Sequence, residues 1–325
     1  MSFNEKIESS ISNISTKIES YNDHLNIDHR KCDYIELLAL LNKDELYEDD
    51  LLSRFYSEYS DRNEEREELK ASSNDAQEKD LQILFNILKY RQSMFGQNYP
   101  FIITNDSIQL KDTNSLTIEN KFYVLLLCCA NLKKFNRSVQ YRLTEEFEEI
   151  TFTSIKKFLP QFNLKRMGAN ADYVGNTKTK LKTLAEDLNI DTNDTQISNL
   201  AETASKEKGV DIFASKTFKD KIPNMLMLSI QCACGEDTSH KINEAENYHN
   251  YLHFRQFKID PIIVLSVPKA ISIGNKSIKD HLEVMKTNSL FFDRLRLMEY
   301  IDTSTSLETL KLVDQLIEKT ISIVD

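Results

Sequence analysis

Two apolar runs near the middle of the chain carry the residue types best suited to phosphoryl chemistry. The first, "KGVDIFAS", opens on Asp211; the second, "NMLMLSIQCACG", closes on Gln231. Both read as strands, joined by the polar connection "KTFKDKIPN". A hairpin of this kind brings a carboxylate and an amide oxygen to one sheet edge. Magnesium (or manganese) takes hard oxygen ligands of that type, commonly one or two carboxylates completed by carbonyls and water. An ion held there would polarise a phosphoryl oxygen and lower the pKa of a bound water. A lysine close by would stabilise charge on the pentavalent phosphorus. Each residue also has an ordinary use. Asp211 follows a glycine-valine pair and can satisfy turn amides. Gln231, set between Ile230 and Cys232, costs free energy unless its amide finds partners, and a structural hydrogen bond would serve.

The same segment offers a rival metal chemistry. Cys232-x-Cys234 followed by His249-x-x-x-His253 supplies two thiolates and an i, i+4 histidine pair, the ligand types of zinc. A one-residue gap is shorter than structural zinc sites use, however, and "YHNYLHF" reads equally well as an aromatic helix face. The chain has no P-loop, dinucleotide fingerprint or nucleophile elbow. Its six glycines are too few for phosphate-cradling loops in general.

The elements that must position these residues divide at about residue 150. Residues 1–150 are expected to form an acidic, mainly helical region with a winged-helix-like start. Within it, "DYIELLALLNKDELYEDDLLSRFY" has helical spacing, and "SDRNEEREELKASSNDAQEKD" is a solvated helix or linker. "LQILFNILKYRQSMF" is an amphipathic helix stopped by Gly96, "YPFIITNDSIQLKD" a hairpin, and "ENKFYVLLLCCANLKKF" a buried helix. Residues 151–325 are expected to form an α+β or α/β domain with a mixed sheet. Helices come first, with Leu181, Leu184 and Leu188 on one face of the second. The hairpin follows, then a crossover helix within 235–257, then the strand "PIIVLSVP". A last helix is expected to open with a capping box at Thr305 and Glu308 and to bury Leu310, Val313 and Ile317.

Charge follows the same division. The net charge is −10, yet residues 151–325 carry 23 basic and 23 acidic side chains, so the whole imbalance lies in 1–150. Between 156 and 182, Lys156, Lys157, Lys165, Arg166, Lys178, Lys180 and Lys182 are opposed by Asp172 alone. Such an excess suits a phosphate backbone, and also describes an ordinary solvated face. The acidic half is better suited to a protein partner or to self-association. No apolar run approaches the length that spans a bilayer, so no membrane partner is expected. Five cysteines in no secreted-scaffold pattern point to a reducing, cytoplasmic compartment.

Over roughly 165–270 the chain resembles the PD-(D/E)xK restriction-endonuclease-like superfamily. "KGVDIFAS" looks like its Gly-x-Asp strand and "LSIQCACG" like its (Glu/Gln)-x-Lys strand, in the Gln variant found among bacterial phage-defence nucleases. The resemblance implies a restriction-endonuclease-like mixed-sheet core and magnesium-dependent cleavage of DNA. Asp211 and Gln231 would hold the metal, and a protein partner from the same defence operon or a homo-oligomer would gate it. Lys165, Arg166, Lys178, Lys180 and Lys182 would grip the backbone. The family's lysine position is Ala233 here. The resemblance then points to Lys241, at the start of the next helix, as the displaced lysine, with Lys216 second. It points to Glu186 as the helix-borne acid seen in many members. If no lysine reaches the metal, the alternative is an inactive nuclease-fold subunit that binds nucleic acid or protein.

Overall fold

The computed structural model describes residues 2–12, 14, 27–42, 44–56, 67–168, 171–200, 209–220, 222, 225–235, 241–254, 259–271 and 289–318. It divides into two compact units. The first gathers Met1–Leu143 with Lys269–Lys279 and Ser306–Asp325; the second is Thr144–Pro268 with Asp280–Thr305. The first division falls at Leu143, close to the expected boundary, but Lys269–Lys279 and the C-terminal segment return to the first unit. Its helix buries Leu312, Val313, Leu316 and Ile317 there.

Unit one is built around α2 (Ile27–Asn42), in which Tyr34, Ile35 and Leu37–Leu41 are buried. Every residue from Cys32 to Leu41 is buried, Asp33 and Glu36 included, so this helix sits in the middle of a core. Before it comes α1 (Phe3–Ser12); after it come β1 (Leu46–Tyr47), α3 (Glu48–Tyr56), α4 (Glu67–Phe95), β2 (Phe101–Ile103) and β3 (Ser107–Leu110). The three strands pair antiparallel in the order β1-β3-β2. The polar stretch from 67 onward is continuous with the amphipathic helix after it, and residues 57–66 lie outside the described ones. Then α5 (Ile118–Ala130) starts at a reciprocal Thr117–Asn120 capping box and buries Phe122 through Cys129.

A cluster of charges is buried within this core. Arg91 of α4 is fully enclosed, 2.9 Å from Asp33 and 2.8 Å from Glu36, and it also donates to the carbonyls of His29 and Ala270. Glu36 accepts further bonds from the Tyr99 and Tyr123 hydroxyls. Two carboxylates and two carbonyls on its terminal nitrogens let the guanidinium stay inside, although its Nε has no partner among the described residues.

Unit two begins with the C-terminal part of α6 (Arg137–Phe158), continues with β4 (Asn163–Arg166), α7 (Thr177–Leu188), α8 (Asp194–Ser198), β5 (Ile212–Lys216) and β6 (Leu226–Cys232), and then α9 (Lys241–Glu244) with a 3-10 turn over Ala245–Asn250. β7 (Ile262–Ser266), β8 (Ser289–Phe292) and α10 (Arg294–Glu299) complete it. The sheet order is β4-β5-β6-β7-β8, with β4, β5 and β6 antiparallel and β6, β7 and β8 parallel. This is the mixed α/β arrangement expected from the sequence. The leucine stripe of α7 (Leu181, Leu184, Leu188) packs with Phe213, Met227, Tyr248, Phe254 and Ile263.

Three local expectations change. The crossover between β6 and β7 is one helical turn and a 3-10 turn rather than a full helix among the described residues; 236–240 and 255–258 fall outside them. β4 and β8 have no counterpart in the strand reading. Both are sheet edges, and β4 ends in Lys165 and Arg166, charges that suit an edge strand. The last helix, α11 (Leu310–Glu318), begins after the expected capping box. Thr305 caps nothing, Glu308 pairs with Arg142 at 3.1 Å, and Leu310 is only half-buried.

Candidate active site

The register of β5 and β6 fixes the first two residues. Ile212 lies opposite Ile230, so one step further sets Asp211 opposite Gln231. The Asp211 amide donates to the Ile230 carbonyl at 2.9 Å, and the Cys232 amide donates to Asp211 Oδ2 at 2.7 Å. On the other flank, the amides of Met167 and Gly168 donate to the Asp211 carbonyl at 2.7 and 3.2 Å. Asp211 is thereby tied to β6 and to the chain leaving β4, which leaves its carboxylate little freedom.

Gly168 brings in a residue that the sequence reading did not single out. A Cβ placed on Gly168 would lie 2.6 Å from Glu148 Oε2 and 3.6 Å from Asp211 Oδ1. The two carboxylates therefore converge on one bare stretch of backbone, with their oxygens at most about 6 Å apart, within the range where one carboxylate disturbs another. The thiol of Cys232 reports the same crowding. Its pKa is pushed well up, first by removal from water and then by the charges of Asp211 and Glu148, while a hydrogen bond with Thr151 acts the other way. Glu148 and Thr151 are one turn apart on α6, on one face. The Thr151 hydroxyl also meets Ser266 Oγ on β7 at 2.9 Å. The helix thus lays Glu148 across the end of the sheet where Asp211 stands.

Gln231 is 4% exposed. Its Nε2 donates to Glu244 Oε2 at 3.1 Å, and its Oε1 is enclosed without a hydrogen-bond partner among the described residues. Lys241 donates to the same Glu244 oxygen at 2.8 Å. Gly209 has φ +93°, and a Cβ there would lie 2.4 Å from the Glu244 carbonyl oxygen. That close approach holds α9 against the segment leading into Asp211. Lys241 and Gln231 therefore meet through Glu244, which answers the charge of Lys241.

The helix-borne acid is a correction. Glu186 is exposed on α7, in an open groove with Asp191 and Asp194; the acid beside Asp211 is Glu148, on the helix before the sheet. Lys216 is also removed from the site. It ends β5, five residues or about 17 Å of extended strand from Asp211, and donates to Gln161. The basic run is less free than its count implied. Arg166 is held by Glu149 through two bonds of 3.0 and 2.9 Å, meets Asp172 at 3.3 Å and lies over the Phe152 ring. Lys165 is 3.9 Å from Asp187 and sits over the Tyr173 ring. Lys178 donates to the Ser198 carbonyl and Lys180 to that of Met167; Lys182 is exposed.

The zinc constellation is not assembled. His249 Nδ1 lies 3.7 Å from Asp260 and its ring packs edge-on to Phe254, whereas His253 is exposed. Among the described residues, no group of three or more His, Cys, Asp or Glu is placed to hold a metal. Magnesium asks for less protein. One or two carboxylates suffice when waters and substrate phosphates complete the shell. The Glu148–Asp211 pair meets that demand, and the enclosed Gln231 Oε1 is a further hard oxygen.

The sequence carries little signal for the missed residues. Glu148 is hidden in the run "TEEFEEI", where composition cannot single out one acid, and Gly168 is one of only six glycines. Comparison with family models, with curated proteins and with solved structures returned no match, so the reading of this site rests on its geometry.

Proposed function

We propose that unit two is a metal-dependent nuclease that hydrolyses DNA phosphodiesters with Mg²⁺ or Mn²⁺. One observation carries the proposal: two carboxylates from different elements, Glu148 and Asp211, converge on Gly168 at the end of β5, opposite the enclosed amide of Gln231. The element order supports a restriction-endonuclease-like core. A helix leads into an antiparallel hairpin with the aspartate on one strand and the glutamine on the next, then a helical turn and a parallel strand.

In this reading Glu148, Asp211 and Gln231 Oε1 would hold the ion, which would supply Lewis acidity at the phosphoryl group. Asp211 is oriented by the Cys232 amide, and Glu148 by its seat against Gly168. Hydrolysis forms an oxygen–phosphorus bond from water, breaks the phosphorus–oxygen bond to the leaving sugar, and leaves one water proton on that sugar oxygen. The test is cleavage of supercoiled plasmid by purified protein with Mg²⁺, beside Asp211→Ala and Glu148→Ala. The expected result is nicking or linearisation by the parent and loss in both variants.

A second reading has its own support. Ala233 is buried and Lys241 is paired with Glu244, as an inactive nuclease-fold subunit would have it. That subunit would bind nucleic acid or a protein partner under every metal and never cut.

A further inference from the structure

We infer that Lys180, rather than Lys241, supplies the ammonium that binds the scissile phosphate at this site. The inference rests on the nuclease reading and names the group that would contact its substrate. Lys180 Nζ donates to the Met167 carbonyl at 3.2 Å. That carbonyl belongs to the peptide unit joining Met167 to Gly168, the residue on which Glu148 and Asp211 converge. Lys180 is therefore tethered one peptide from both carboxylates. It is half-buried and makes no ion pair with any described residue.

The other cations nearby are occupied. Arg166 is gripped by Glu149 and Asp172, Lys165 faces Asp187, and Lys241 is paired with Glu244. Lys180 alone of these four spends its hydrogen bond on a neutral acceptor. It also lies in the first turn of α7, where a cation is opposed by the helix dipole and an anion is favoured. Charge count agrees. Two carboxylates, a divalent ion, one ammonium and the single negative charge of a phosphodiester balance to zero. In this arrangement Lys180 turns from the Met167 carbonyl to a non-bridging phosphate oxygen and stabilises the charge that grows there.

Two measurements on the parent, Lys180→Gln, Lys180→Arg and Lys241→Gln test the assignment. Binding of a fluorescein-labelled duplex is read by anisotropy in Ca²⁺, and kcat and KM for cleavage are read in Mg²⁺. Removal of one transition-state donor costs roughly 100- to 1,000-fold in kcat. Lys180→Gln is expected to show that loss, to bind the duplex more weakly and to have a salt slope smaller by about one. Lys180→Arg is expected to recover part of both, and Lys241→Gln to lose markedly less kcat than Lys180→Gln; an equal or larger loss in Lys241→Gln overturns the assignment. A purely structural tether would change melting temperature without the loss in kcat or the change in salt slope, and that result overturns the assignment. So does a Lys180→Gln protein that cleaves and binds like the parent. A parent that binds the duplex but never cuts it, with binding lost in Lys180→Gln, sinks the nuclease reading and keeps the phosphate contact. A parent that neither binds nor cuts ends both.

Discussion

Gly168→Ala is the substitution that most sharply separates a catalytic from a structural role for the paired carboxylates. The new Cβ would start 2.6 Å from Glu148 Oε2, well inside the roughly 3.4 Å at which carbon and oxygen make ordinary contact. Something must move by about 0.8 Å. The atom in the way is the far end of a flexible side chain, so the Glu148 carboxylate will swing off while the backbone stays. Among the described residues the glycines with positive φ are Gly96, Gly175 and Gly209, and Gly168 is not one of them. Alanine is therefore conformationally allowed, and the stiffer unfolded chain adds about 0.4–1 kcal/mol of stability to set against the displaced carboxylate. Thermal melting is expected to shift by no more than a few degrees. Cleavage is a different matter, since a misplacement of about 1 Å in a reacting constellation costs about 100-fold. Single-turnover cleavage of a labelled duplex with Mg²⁺ is the assay, and Gly168→Ala should lose 10- to 100-fold. Combined with Glu148→Ala it should lose no more than Glu148→Ala alone, because both act on the same carboxylate. A folded Gly168→Ala protein with parental cleavage would refute the argument that Glu148 must lie against this backbone to act.

Three further outcomes follow from the packing. Gly209→Ala forces a side chain onto a backbone at φ +93° and within 2.4 Å of the Glu244 carbonyl; chemical denaturation should show a loss of about 1–3 kcal/mol or more, and an unchanged midpoint would contradict the close approach. Arg91→Met leaves Asp33 and Glu36 buried without their cation, so urea unfolding should register about 3–5 kcal/mol of destabilisation; Arg91→Met with both acids replaced by neutral isosteres should recover much of it. Burial pushes the thiols of Cys32 and Cys232 above their ordinary value of 9.0. Above about pH 9 the unfolded chain loses those protons while the folded one keeps them, so stability falls as pH rises, by up to about 1.4 kcal/mol per unit for each thiol. Melting followed from pH 8 to 10 should show that decline, less steep in Cys232→Ala, and a flat profile would refute it.

What the sequence revealed and what it hid have separate physical causes. The hairpin carrying Asp211 and Gln231 was legible because a two-residue period and β-branched neighbours are local properties of the chain, and local pairing then fixes the register. The α7 stripe of Leu181, Leu184 and Leu188 was legible for the corresponding helical reason. Glu148 was not, because its role depends on α6 crossing a sheet whose Asp211 strand lies more than sixty residues later. One acid in a glutamate-rich helix looks like the next until the tertiary fold selects it. Glu186 illustrates the reverse error: a leucine-flanked acid on an amphipathic helix, exposed once the leucines are buried. The basic run misled for a similar reason, since Glu149 and Asp187, which hold Arg166 and Lys165, answer charges that are distant from them in sequence. β4 escaped notice because an edge strand can be polar throughout, and the C-terminal helix joined unit one because burial, not chain order, decides domain membership.

The central claim is that Glu148 and Asp211 together hold a catalytic divalent ion. The most direct test is Mg²⁺ binding to the parent by titration calorimetry, beside Asp211→Asn and Glu148→Gln, with plasmid cleavage followed on the same samples. The account predicts that the parent binds the ion and cuts, and that each substitution weakens binding and abolishes cutting while the fold persists. Equal Mg²⁺ binding by all three proteins, or cleavage that survives both substitutions, would contradict it.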